Sequence, residues 1–325
     1  MTTPVFGHPA ACVVSGDLGD RIATNNVWRV LVGTDIEKLH LQLGPLQATG
    51  RGVWFFTVAV AVLALSGVAV ALTRQREISE KWMTWLCLAV LVGVPLWLGK
   101  ATTIPIVVIV ATIAVREFAA LVHLPRPETW YLHGLAVAYP LIAYAKPGLL
   151  VIVPFFALMA ALPSVVAGDT ERGLYRTTMT MFASVWICWS LSFFIIIWKD
   201  AFLVVFAVAA ADVGAWGGGK LLRRFTWGRA PLSPLSPNKT VGGLVGGFVA
   251  GAFMLAVLGS LSVGLVLAVG LGATLGDLLE SMVKRQVGVK DAGAWLPGFG
   301  GLLDRIDSWL LVLPLAAVLG AYLPW

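Results

Sequence analysis

An all-α, polytopic integral membrane protein with nine to ten transmembrane helices is the fold this sequence predicts, on three observations. Of 325 residues, 58% are hydrophobic and only 12% charged, against about a quarter charged in a soluble domain. Mean hydropathy is +0.87. The apolar runs have the ~17–20 residues that cross a ~30 Å hydrocarbon core, not the short alternating pattern of a β-barrel. Cys12, Cys87 and Cys188 form no CxxC pair, and His8, His40, His123 and His133 show no ligand spacing. No disulfide framework and no zinc site are therefore expected.

Residues 1–52 form an extension with no assigned role. It lacks the basic stretch and apolar core of a signal peptide. Within it, DIEKLHLQL (35–43) has the pattern of a short amphipathic helix. The apolar segments that follow are 53–72, 82–98, 103–119, 130–145, 149–167, 179–198, 201–218, 241–258, 260–276 and 308–325. The pair 130–145 and 149–167 is separated only by Lys146-Pro147-Gly148, and 241–276 admits another division. We divide the chain into the extension, N-terminal transmembrane helices over 53–200 and a C-terminal catalytic region over 201–325.

With ten spans, the loops 73–81, 120–129, 168–178, 219–240 and 277–307 lie on one side and hold fifteen Lys and Arg. The opposite short loops hold three, Lys100, Lys146 and Lys199. The positive-inside rule places the first set in the cytoplasm. The loop KLLRRFTWGRAPLSPLSPNKT (220–240) suits anionic headgroups. Its SPNKT turn offers backbone N–H groups, a hydroxyl and an ammonium, which is what a phosphate requires.

The polar residues gather on that same side. In GATLGDLLESMVKRQVGVKD (272–291), Asp277, Glu280 or Ser281, and Lys284 share one helix face. This stripe continues directly from an apolar span, so its first acid sits at the membrane boundary, where ionisable groups are costly. The glycines at 293, 298, 300 and 301, with Pro297, form a tight loop whose backbone approaches a ligand closely. Asp304 and Asp307 then fall three apart at the start of the last span. A helix N-cap, on Asp307 or Ser308, accounts for one of those acids but not both. Asp212 interrupts another span and needs a cation or a hydrogen-bond network, with Lys220 or a metal as candidates. Carboxylates without a Cys/His cluster suit Mg²⁺ rather than zinc. Mg²⁺ beside Lys and Arg in a membrane points to lipid-phosphate chemistry.

SMVKRQVGVKDAGAWLPGFGGLLDRIDS (281–308) resembles the signature of the phosphatidate cytidylyltransferases, S-x-x-K-R-x-x-x-x-K-D-x-G-x-x-x-P-G-H-G-G-x-x-D-R-x-D. The only mismatch is Phe299, where the family has histidine. ADVGAWGGGK, SPNKTVGGLVGG and GDLLES resemble further family blocks in the family's order, with Gly242 where an acid is common. The resemblance covers roughly residues 200–325. It implies that CTP and phosphatidate give CDP-diacylglycerol and pyrophosphate, for phospholipid synthesis. It implies Asp277 and Asp304 as the principal metal ligands, with Asp307 and Ser281 beside them. Lys284, Arg285 and Arg305 would bind phosphates. Ser236, Asn238, Lys239 and Thr240 would hold the other phosphate-bearing partner, with Lys290 also on substrate. Asp212 and Lys220 would complete the polar cavity. The implied cofactor is Mg²⁺, as two divalent or mixed cations, with no organic cofactor and no nucleic-acid partner. The implied location is a bacterial-type inner (plasma) membrane, with the site facing the cytoplasm.

A cytidylyltransferase for another membrane lipid phosphate, isoprenoid or ether lipid, is the alternative that Phe299 and Gly242 raise. A transporter is opposed by the clustering of charge at one face of the C-terminal third, without a repeat. A non-catalytic scaffold is opposed by the retained acids and bases. The small-residue run GGLVGGFVAGAF (242–253) favours close helix contact, inside one bundle or between the chains of a homodimer.

Overall fold

The computed structural model describes residues 41–43, 46–48, 50–73, 76–289, 293 and 300–322. Two three-residue strands, β1 (Leu41–Leu43) and β2 (Leu46–Ala48), pair antiparallel with Leu41 opposite Ala48. The amphipathic helix expected over 35–43 is thus replaced by strand at its last three residues. Gly44 and Pro45 follow directly in sequence, a pair that ends helices and favours turns. Positions 35–40 of that expectation lie outside the described residues.

Every later regular element is helical. First come α1 (Gly50–Thr73), α2 (Arg76–Leu98), α3 (Lys100–Leu121) and α4 (Arg126–Ala145). Lys146 does separate α4 from the next segment. That segment is broken into a 3₁₀ turn (Pro147–Ile152), α5 (Val153–Met159) and α6 (Leu162–Val166). Each piece has a proline in its first two positions, where a missing N–H costs nothing. A longer rod runs as α7 (Gly173–Ala183), a π-helical turn (Ser184–Trp189) and α8 (Ser190–Ile196). Then follow α9 (Trp198–Leu221), α10 (Val241–Val257), α11 (Val263–Val287) and α12 (Leu303–Tyr322). Among the described residues, five stretches are long and apolar enough to span a bilayer, namely 100–121, 147–166, 173–196, 198–224 and 263–287.

Two boundaries matter for the site. α11 runs unbroken from the apolar span into the polar stripe and stops at Gly288, whose φ of 78° makes a left-handed C-cap. α12 begins at Leu303, five residues before the expected 308. Asp304 and Asp307 therefore both lie inside the helix.

Lipid tails are as apolar as leucine, so helices in a bilayer associate through close packing of small residues. α9 and α10 meet through Gly214 and Gly218 against Gly242 and Gly246. A Cβ on Gly218 would lie 2.6 Å from the Gly242 carbonyl oxygen and 2.7 Å from the Gly246 Cα. The small-residue run is thus consumed inside the chain. α11 and α12 meet in the same way at Gly264, Gly272 and Gly276, where Val312, Asp307 and Ser308 pass close by. One buried core joins both halves of the chain, from Val107, Phe118 and Leu132 to Leu203, Leu265 and Leu313.

Candidate functional site

The site assembles where α9, the 225–240 loop, α11 and α12 come together. Gly276 decides its geometry. A Cβ there would strike the Asp307 carbonyl oxygen and lie 3.1 Å from the Ser308 Cα. With glycine at 276, the α12 backbone passes directly over α11 beside Asp277. Asp277, Glu280 and Asp307 each present a carboxylate oxygen within 4.8 Å of the others, the one such group among the described residues. Glu280 and Asp307 are buried. The Glu280 Oε1 atom is buried without a hydrogen-bond partner, a condition that buried polar atoms rarely tolerate.

Two cations pair with this trio, and a third acts on Asp212. Lys284 reaches Glu280 Oε2 at 2.5 Å and Asp304 Oδ1 at 2.7 Å. Lys239 pairs with Asp277. The charges that reach Asp212 are those of Asp277, Lys239 and Arg305. Asp212 thus faces the site electrostatically from α9, although its residue surface is exposed. Formally, Asp212, Asp277, Glu280, Asp304 and Asp307 outnumber Lys239, Lys284 and Arg305 by two. A divalent cation bound by hard oxygens neutralises that excess.

The loop bearing Lys239 is folded back by main-chain hydrogen bonds. Gly242 donates to Gly228 O (2.9 Å), Val241 to Ala230 O (2.9 Å) and Leu232 to Lys239 O (2.8 Å). Thr240 caps α10, its hydroxyl accepting from the Gly243 N–H at 3.2 Å. Ser236 closes the turn, accepting the Lys239 N–H at 3.0 Å, and Asn238 is exposed.

The start of α12 is held from elsewhere in the chain. Glu117, on α3, accepts the Leu302 N–H at 2.8 Å and the Leu303 N–H at 2.6 Å. Asp304 Oδ2 accepts the Gly301 N–H at 2.8 Å. The expected N-cap on Asp307 or Ser308 is therefore not the one used. Asp304, expected as a principal metal ligand, spends its oxygens on Lys284 and on this turn.

A sequence profile described as the cytidylyltransferase family matches residues 79–323. This chain belongs to the cytidylyltransferase family. Among its relatives, a phosphatidate cytidylyltransferase of Helicobacter pylori is 49% identical over 113 residues, 32% of this chain and 40% of that protein. The Escherichia coli protein YnbB is 31% identical over 268 residues, 74% of this chain and 86% of YnbB. A phosphatidate cytidylyltransferase of Mycobacterium leprae is 39% identical over 169 residues, 47% of this chain and 52% of that protein. The matches thus cover about half or less of the named phosphatidate enzymes and most of YnbB.

Against the family pattern, Asp277, Asp304, Asp307, Lys239, Lys284 and Arg305 converge, with Asp212 at the edge. Ser281 is half-buried on α11, and Arg285 is exposed one residue beyond Lys284. Lys220 does not join Asp212. Its ammonium lies 3.8 Å from the centre of the Trp216 ring. Lys290 and Phe299 lie outside the described residues. Gly242, where the family often has an acid, has no room for one. A Cβ there would lie 2.7 Å from the Gly228 carbonyl oxygen and 2.9 Å from the Leu222 Cβ. Two residues went unassigned in the sequence, Glu280 and Glu117. Glu280 stands on the polar face at the spacing that marks Asp277 and Lys284. Glu117 is an acid inside an apolar span, the same signal that marks Asp212.

Proposed function

We propose that this protein transfers the cytidylyl group of CTP to phosphatidate, giving CDP-diacylglycerol and pyrophosphate, at the cytoplasmic face of a bacterial-type inner membrane. The observation that carries this reading is the trio Asp277, Glu280 and Asp307, two of them buried and the Glu280 Oε1 unsatisfied, paired with Lys239 and Lys284. A phosphate oxygen of the lipid attacks the α-phosphorus of CTP. The new P–O bond forms as the bond to the bridging oxygen of the β-phosphate breaks, and pyrophosphate leaves with that electron pair. No protein nucleophile is needed, because the lipid phosphate is already ionised.

The donor set fits one or two hard divalent cations. Asp277, Glu280 and Asp307 would hold Mg²⁺, which when bound screens the triphosphate and polarises the reacting phosphoryl group. Lys239 and Arg305 neutralise phosphate charge on either side of it. Lys284 ties Glu280 to Asp304 and so holds α11 and α12 in one register. Asp304 acts in this reading through Lys284 and the Gly301 turn, and belongs to the metal site's support.

The test is purified protein with CTP, Mg²⁺ and dioleoyl-phosphatidate, following lipid-linked cytidylate and pyrophosphate. Equal release of both products, abolished by EDTA and lowered about a hundredfold or more in Glu280→Gln, is the expected result. Glu280→Gln at wild-type rate would remove the trio from the reaction. Phe299 supports a second reading, in which the acceptor is an isoprenoid or ether-lipid phosphate. Transfer to such a lipid but not to phosphatidate would establish it, and Phe299→His measured on both lipids assigns the preference to that position.

A further inference from the structure

An apolar groove runs along the start of α12 at Leu302, Arg305, Ile306 and Trp309, on the same two turns that carry Asp304 and Asp307. It is lined by α2, α3, α8 and α12, with Leu91, Ile106, Val110, Phe194 and Ile306 among its walls. One charged side chain lines it, Arg305. Arg305 stands between Asp304, which pairs with Lys284, and Asp307 of the acidic trio on the first turns of α12, so the groove ends beside the site. The lining on α3 runs from Thr103 to Ile113. Ten residues of helix rise about 15 Å, or roughly half the ~30 Å hydrocarbon thickness, the depth to which one lipid chain reaches in its leaflet. The groove's volume is about 100 Å³. Leu91 and Ile109, 49% and 52% exposed, leave its flank open to the surrounding bilayer.

We propose that this groove seats one hydrocarbon chain of the lipid phosphate substrate, with Arg305 at its mouth pairing the lipid's phosphate. The inference rests on the cytidylyl-transfer reading and adds the lipid's position to it. The chain enters sideways between Leu91 and Ile109 from the bilayer. Its phosphate then meets Arg305 with the Asp277–Glu280–Asp307 trio beyond, so the attacking oxygen arrives from the apolar side. CTP, which is water-soluble, is left the side formed by the loop bearing Lys239. An uncharged apolar slot with a single guanidinium at one end fits an anionic headgroup on a long apolar tail, and fits neither a nucleotide nor a peptide.

The test uses the full chain in phosphatidylcholine nanodiscs, without CTP. A phosphatidate carrying a diazirine midway along one acyl chain is photolysed, and labelled peptides are mapped. Labels should concentrate on α3 and α12 residues facing the groove. Val110→Trp, which fills the slot, and Leu91→Trp, at its open edge where bulk strains the core least, should each lower that labelling about tenfold, the effect of lost contact with a few methylenes. Val249→Trp, on the exposed face of α10, should leave it unchanged, and thermal unfolding checks that each variant is folded. Labels spread evenly over exposed helices, or groove labels that persist in folded Val110→Trp and Leu91→Trp, would overturn the proposal. Cytidylyl transfer without groove labelling removes the groove and keeps the reaction. Groove labelling by a protein that transfers nothing to any lipid phosphate keeps the groove and removes the reaction.

Discussion

Replacing Glu117 tests whether the acidic site depends on a residue far from it in sequence. Its carboxylate accepts two main-chain N–H bonds at the start of α12, from Leu302 and Leu303, at 2.8 and 2.6 Å. Gly293 and Gly301 wrap around it so closely that a Cβ on Gly301 would lie 2.8 Å from Glu117 Oε2. Bonds to a charged acceptor contribute about 1.5–3 kcal/mol each, and a buried N–H left unpaired costs about 1–3 kcal/mol. A carboxylate at a helix N-terminus adds up to about 2 kcal/mol in a partly buried setting. Glu117→Ala should therefore destabilise the start of α12 by about 3–5 kcal/mol. Glu117→Gln keeps one acceptor oxygen and the side-chain volume, and should cost about 1–2 kcal/mol through the lost charge. Hydrogen exchange on the peptide covering 300–308 reads this directly. Exchange there should rise more than a hundredfold in the alanine variant and about tenfold in the glutamine variant, while α4 is unchanged. Cytidylyl transfer should fall in the same order, because Asp304 and Asp307 ride on the loosened turn. An alanine variant with wild-type exchange over 300–308 and wild-type transfer would refute the reasoning, since no other described acceptor takes the Leu302 and Leu303 N–H groups.

Three further outcomes follow from the packing. Gly276→Val should push α12 off α11 at Asp307, costing about 1–3 kcal/mol from overpacking and raising the Mg²⁺ concentration needed for half-maximal rate; an unchanged Mg²⁺ titration would contradict that placement. Gly242→Glu, which restores the acid common in the family, should lower the unfolding temperature in detergent rather than improve the rate, because Gly228 and Leu222 occupy the space; a more active variant would show that the 225–240 loop moves aside. Lys284→Met leaves Glu280 and Asp304 facing each other without their cation. It should cost about 3–5 kcal/mol, with Lys284→Met/Asp304→Asn recovering part of the stability in a double-mutant cycle, and additive effects would deny the bridge.

What the sequence disclosed, and what it hid, follows the range of each interaction. The apolar segments were legible because a bilayer-length run is a local property, and among the described residues helices overlap each of them, although only five stretches there are long and apolar enough to span. The Asp277–Lys284 stripe was legible because i, i+3 and i+7 positions share a face wherever the helix sits. The assignment within the stripe was not legible. Whether Glu280 or Asp304 keeps an oxygen for a cation depends on how Lys284 divides itself between α11 and α12, and on where the Gly301 turn ends. The start of α12 was misplaced by five residues because its N–H groups are capped by Glu117, 185 positions earlier than Leu302. No window around 301–308 contains that information. Gly242 shows the converse, since what reads as a lost functional acid is a steric requirement set by Gly228, fourteen residues upstream.

This long-range capping bears on how the two halves are related. The motifs lie in 201–325, whereas the family match runs back to residue 79 and takes in most of the N-terminal helices as well. Taken alone, 201–325 would leave the Leu302 and Leu303 N–H groups without the acceptor that Glu117 supplies. It would also lose the α3 wall behind Ile306 and Leu302. The N-terminal half is therefore more than an anchor. It supplies the one described carboxylate that caps the start of α12, and that starting point sets Asp307 beside Asp277 and Glu280 and Asp304 on Lys284.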